Sequence, residues 1–286
     1  MRRHVRRPPP LADFGVSPGM LRLVALAIPI GAASALVALA LLAGIGAITN
    51  ALYYGRASTA LASPSHETLG LVAVLIPVGG ALIVGLMARY GSEQIRGHGI
   101  PEAMQNILVH GSRVQPRLAV LKPVSSVISI GTGGPFGAEG PIILTGGALG
   151  SLLAQFFHFT ASERKTLLVA GAAGGMSGVF GTPVAATLLA VELLLFEWKP
   201  RSMVPAAVAA AVAAAVRIRL ADAGLIDGVP LFPVPGHAPL DERGLMSAVV
   251  VGLACGLLAL LLTTAVYAAE APASYTHLTL PTPYPV

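Results

Sequence analysis

Charged residues cut this chain into apolar intervals, and the intervals set its elements. Residues 23–55 carry no Asp, Glu, Lys or Arg, and neither do 68–88, 166–191 and 244–269. A bilayer core takes about 20 mostly apolar residues as a helix, so each of the four is long enough to span one. Between them, residues 123–138, 140–162 and 202–216 are shorter or are broken by Gly, Pro or a lone carboxylate. These predict half-spanning or tilted helices. The first interval is too long and too far from Met1 for a signal peptide, and no small-residue cleavage site followed by polar sequence appears. It predicts a retained, tilted helix.

Composition agrees with the pattern. Hydrophobic residues make up 55% of the 286 and charged ones 11%, with a mean hydropathy of +0.77, whereas an ordinary soluble domain is about a quarter charged. A soluble protein is excluded. Lys and Arg outnumber Asp and Glu by 18 to 13, but much of the excess is Arg2, Arg3, Arg6 and Arg7, with no aromatic interleaving to stack bases. Nucleic acid is therefore not an expected partner. The single cysteine, Cys255, lies in an apolar run and reads as a small hydrophobe, which excludes an intrachain disulfide. No Cys/His cluster has metal-ligand spacing, so neither a metal nor a cofactor is expected.

Lys and Arg in short loops set the orientation. The Arg-rich N-terminus, the turn with Arg89 and Arg96 and the turn with Lys199 and Arg201 are expected on the cytoplasmic side. The loop 54–67 holds only Arg56 and is placed outside. Pro8 to Pro10 predict a stiff leader, and residues 224–241, rich in Pro and Gly, predict a loop between membrane segments. Glu163, Arg164 and Lys165 read as a solvated turn.

One local pattern occurs three times, a Gly-rich turn, then proline, then a helix-forming run. It is found at Gly97-His98-Gly99-Ile100-Pro101, at Gly137-Ala138-Glu139-Gly140-Pro141 and at Phe180-Gly181-Thr182-Pro183. Proline in the first helical turn loses no hydrogen bond, so a helix is predicted to start at each. Within a membrane, such starts aim free N–H groups and a positive dipole end at whatever cavity they face, which suits an anion. At the membrane surface the same turns are ordinary loop-to-helix junctions. Glu139 favours the first alternative, because it is the sole ionisable group between Lys122 and His158, and an intramembrane carboxylate is costly.

Gly97 to Pro101 followed by Glu102, together with Gly137 to Pro141, resemble two signature motifs of the CLC family of chloride channels and chloride/proton antiporters, at the family's spacing. The resemblance runs from the first membrane helix to about Glu270. It implies an all-α polytopic membrane protein of inverted-repeat architecture with discontinuous and tilted helices. It also implies a multi-pass protein of the cell membrane with a cytoplasmic N-terminus, seated in the lipid bilayer and, when full length, a homodimer. Chloride or a similar anion would be held at Gly97, His98, Gly99, Ile100, Pro101, Gly137, Ala138, Gly140 and Pro141, with Glu139 as the gate.

The chain departs from the family pattern at His98, where serine is usual, and at Ala138, where Arg or Lys is usual. An imidazole at residue 98, with a reference pKa near 6.5, would make selectivity sensitive to mild acid unless it merely caps the turn. Glu192 matches the first of two adjacent glutamates that the family's antiporters use, and Leu193 stands where the second would be. Glu197 is a further candidate for proton handling. Weak or absent proton coupling follows, with a coupled antiporter as the alternative.

The chain is expected to hold a leader over residues 1–19, a CLC-like transmembrane region over 20–270, corresponding to the first repeat plus about one helix, and a non-native tail over 271–286. One reading of another class stands beside this. Gly175-Met176-Ser177-Gly178 imitates the nucleophile motif of intramembrane serine proteases, but the later histidines, His237 and His277, fall in a loop and in the tail. Gly171, Gly175 and Gly178, and likewise Gly146 and Gly150, also suit close helix packing. A transporter, not an enzyme, is the expected class.

Overall fold

A computed structural model describes residues 18–64, 69–97, 99–226 and 241–277, with side chains from Gly19 to Ala269. The expectations placed on the leader before Pro18, on His98, on the loop over residues 227–240 and on the tail after His277 lie outside these residues. The described regular elements are all helical: α1 (Pro18–Tyr54), α2 (Leu75–Tyr90), α3 (Ile100–Leu108), α4 (Pro116–Gly131), α5 (Glu139–Phe156), α6 (Ala161–Phe180), α7 (Pro183–Ala190), α8 (Pro200–Asp222) and α9 (Glu242–His277). Short 3₁₀ turns precede α2 and α3, and a π turn over Val191–Leu195 extends α7. The chain forms two compact units, residues 1–233 and 234–286. α9 belongs to the second and is capped at its start by Asp241, whose carboxylate accepts from the Gly244 N–H at 2.8 Å.

Among the described residues, four segments are long and apolar enough to cross a membrane: Gly19–Tyr54, Gly70–Tyr90, Pro200–Asp222 and Glu242–Ala269. Three coincide with predicted intervals. α1 has 37 residues and is therefore about 55 Å long at 1.5 Å per residue, so it exceeds a bilayer core of about 30 Å and either tilts or extends beyond it.

The interval 166–191 is not one helix. α6 stops at Phe180 because Gly181 takes the left-handed conformation at φ +67°, and α7 restarts at Pro183, which has no N–H to give to the preceding turn. Conversely, residues 202–216, expected as a short piece, lie within the 23-residue α8. That helix runs past Arg217, which it buries.

Small residues set the packing, as they do where lipid removes the hydrophobic drive between helices. A glycine seam joins α5 to α6. A Cβ on Gly171 would lie 2.8 Å from the carbonyl carbon of Gly146, and one on Gly150 would lie 2.6 Å from that of Leu167. α1 lies against α6 and α8 in the same manner, with Gly31 on Ala209 and Gly178 on Ala35. Around the seam, Ala103, Ile143, Leu168, Leu194 and Ala206 join α3, α5, α6, the π turn and α8 in one buried cluster.

The expected solvated turn at residues 163–165 is instead a structural junction. The Glu163 carboxylate accepts from the Thr160 N–H at 3.0 Å and caps α6. Arg164 is buried and donates to the carbonyls of Gly111 and Phe159, and Lys165 donates to that of Leu195 at 2.6 Å.

Candidate anion site

All three Gly-Pro turns start helices. Pro101 is the second residue of α3, Pro141 the third of α5 and Pro183 the first of α7. The turn before α3 needs two residues at positive φ, which Gly97 (+94°) and Gly99 (+95°) supply. The Glu102 carboxylate then reaches back and accepts from the Gly99 N–H at 2.6 Å, while the Gly99 carbonyl opens the helix by accepting from Ala103 at 3.0 Å. α5 starts differently. Its N-cap is Ala138, which has no polar side chain, so no side chain caps the first amides, those of Glu139 and Gly140.

The fold brings these two starts together. Gly99 and Gly140 are both buried, and a Cβ on Gly99 would lie 2.5 Å from the Gly140 carbonyl carbon. Beside this contact is a cavity of about 270 Å³, lined by Gly97 from the first motif, by Gly137 and Pro141 from the second, and by Lys122, Ser125, Ser126 and Ser129 from α4. Ile100 and Pro101 form the first turn of α3. Ala138 packs with Leu41, Ile45, Ile142 and Val179.

Lys122 is the residue that the motifs do not announce. It is 2% exposed, and its ammonium donates to the carbonyls of Ile95 at 2.9 Å and Gly97 at 2.8 Å. An ammonium has three donors, so one remains for the cavity that Lys122 lines. The hydroxyls of Ser125 and Ser126 are spent on the Lys122 carbonyl, at 2.9 and 2.8 Å. Lys122 therefore carries the cavity's buried positive charge and fixes the turn before α3. In sequence it reads only as the end of a charge-free interval.

Glu139 is the first residue of α5, exposed, with its carboxylate folded back over Gly137, where a Cβ would run into it. It does not line the cavity. Glu192 is exposed in the π turn. Glu197 lies beyond that turn, because Phe196 is left-handed at φ +56° and ends the helix. It pairs with Lys199 at 3.4 Å and accepts from the Ser202 hydroxyl at 3.2 Å. Neither glutamate lines the cavity between the motifs. Ser177 is wholly buried and gives its proton to the Ala210 carbonyl at 2.6 Å, as a structural hydroxyl does.

The family described as "Voltage gated chloride channel" matches residues 79–283, both motifs included. The chain belongs to that family. A putative chloride channel protein ClcB-like from Ralstonia nicotianae is 27% identical over 208 residues, 71% of this chain and 46% of the relative. An H(+)/Cl(-) exchange transporter ClcA from Vibrio campbellii is 36% identical over 129 residues, 43% of this chain and 27% of the relative. Among solved structures, a slow cyanobacterial Cl⁻/H⁺ antiporter superposes with a TM-score of 0.67 at 18% identity, over 85% of this chain and 55% of that one. A CLC-type fluoride/proton antiporter gives 0.64 at 23%, over 85% and 57%. The all-helical CLC fold is thereby shown. The chain spans about half the length, or less, of these relatives.

Proposed function

We propose that this chain forms the first half of a multi-pass anion transporter of the cell membrane, with a cytoplasmic N-terminus, that moves chloride or a similar small anion and works in the lipid bilayer as a homodimer when full length. The observation that carries this is the meeting of two helix starts at Gly99 and Gly140 beside a cavity that Lys122 makes positive. A helix dipole and a buried ammonium favour an anion over water or a cation. The residues assigned to anion contact are those of the two motifs, Gly97 to Pro101 and Gly137 to Pro141, with Lys122 added. Glu139 is the gate. Its carboxylate stands at the start of α5, where it competes with anions for the same positive potential, and protonation releases it. The chain divides into a leader at 1–19, the transmembrane region at 20–270 and a tail at 271–286.

Transport is channel-like, with weak or no proton coupling, because Leu193 has no titratable group and Glu197 is occupied by Lys199 and Ser202. The second reading is a proton-coupled antiporter, favoured by the names of relatives such as the Vibrio exchange transporter. Two measurements on the full-length protein in liposomes test the proposal. Glu139→Gln raises anion flux and flattens its dependence on pH; a wild-type pH profile in this variant removes Glu139 from the gate. A chloride gradient under a valinomycin voltage clamp drives no uphill proton movement; robust movement selects the antiporter.

A further inference from the structure

At a place distinct from the two motifs, α1, the loop after it and the end of α8 enclose a cavity of about 320 Å³. Leu42 and Ala43 line it from α1, Ser58 to Ala60 from the loop and Arg217 from α8. Arg217 is 2% exposed, which makes it one of the most deeply buried large side chains of the described residues. Among the described residues its guanidinium makes one hydrogen bond, to the Gly178 carbonyl at 3.1 Å, and its Nε has no acceptor. Among the described residues no carboxylate pairs with it.

Burying a guanidinium that has no counter-charge among the described residues strips it of solvating water, a cost that its protein contacts must offset. Gly178 stands in the last turn of α6, and the partial negative charge of that helix end, roughly half an elementary charge, offsets only part of it. The loop wall is arranged to tolerate a negative charge. The Asn50 side-chain amide donates to the Ser58 carbonyl at 3.1 Å and to that of Ala60 at 2.7 Å, and the Arg56 guanidinium donates to the Asn50 side-chain oxygen at 2.6 Å. The Thr59 carbonyl is turned onto Gly46, where a Cβ would run into it. Three successive carbonyl oxygens thus face α1 and not the guanidinium.

We propose that the cavity beside Arg217 is a second anion site, which takes a small monovalent anion such as a halide with a few waters. It rests on different residues from the site between the motifs and does not require Glu139 to be a gate.

Crystals of the full chain soaked in sodium bromide and measured at the bromine edge test it. The expected result is an anomalous peak in this cavity, in contact with the Arg217 guanidinium. Arg217→Gln loses that peak. Should this variant not fold, Ala43→Phe, which fills the cavity and leaves Arg217 in place, loses it as well. A wild-type crystal with no bromide in the cavity, a lipid phosphate there instead, or a peak that survives either substitution overturns the proposal. Bromide between the two motifs is a separate observation and bears only on the first site.

Discussion

Gly99 lies with its backbone directly on Gly140, so close that a Cβ on the former would sit 2.5 Å from the carbonyl carbon of the latter. Two residues 41 positions apart thus bring the starts of α3 and α5 together, and Gly99 has no room for a side chain. Gly99→Ala introduces both this clash and a non-glycine residue at φ +95°, together a loss of about 2 kcal/mol or more. Gly79→Ala in α2, where the added Cβ meets nothing within 4 Å, is neutral or stabilising by up to about 1 kcal/mol. Thermal unfolding in detergent separates the two. Equal melting temperatures would contradict the close approach.

Lys122→Met leaves the carbonyls of Ile95 and Gly97 without their donor. The buried Ile95 carbonyl costs about 1–3 kcal/mol when orphaned, whereas the exposed Gly97 can turn to water, so the variant is destabilised and the turn before α3 loosens. Lys122→Arg keeps donors on a long stem and recovers part of the loss. Hydrogen exchange at the Gly97 amide is the local reading: it speeds up in Lys122→Met, and an unchanged rate would mean that the turn holds itself.

Ser177→Ala removes one buried hydrogen bond, to Ala210, and costs about 1 kcal/mol without affecting anion flux. A fluorophosphonate probe leaves the wild-type serine unlabelled. Labelling that disappears in Ser177→Ala would revive the protease reading.

Phe136 is 55% exposed, and Gly137 and Glu139 beside it are exposed too. The proposed anion path therefore lacks a wall on this side among the described residues. Reconstituted alone, this chain is expected to give liposomes no more chloride flux than empty ones, and flux above that background would show that the described residues suffice.

Much of this was readable before any coordinates. The three helix starts were legible because proline and glycine act locally, through a missing N–H and through positive φ, and need no tertiary context. Two boundaries were not. A charge-free interval says nothing about backbone continuity, so the break at Gly181 was hidden within residues 166–191. The same counting ended a segment at Val216, because Arg217 looked like a boundary, although the fold buries it. Lys122 was missed for a related reason. Its role depends on carbonyls 25 and 27 residues away, and no local pattern marks a side chain whose partners are main-chain atoms of another turn.

The glycine seam has a consequence for biosynthesis. It lies between consecutive helices, so everything it needs is contained in residues 139–180. The contact of Gly31 with Ala209 spans most of the first unit and waits for α8. As the chain leaves the ribosome, the α5–α6 hairpin can close early in the bilayer, whereas the face of α1 around Gly31 stays open to lipid until α8 has been added, even after Gly178 of α6 has met Ala35. The first of the described helices is thus fully seated late, and the window in which that face needs a lipid or insertase surface is set by the distance in sequence between two small residues.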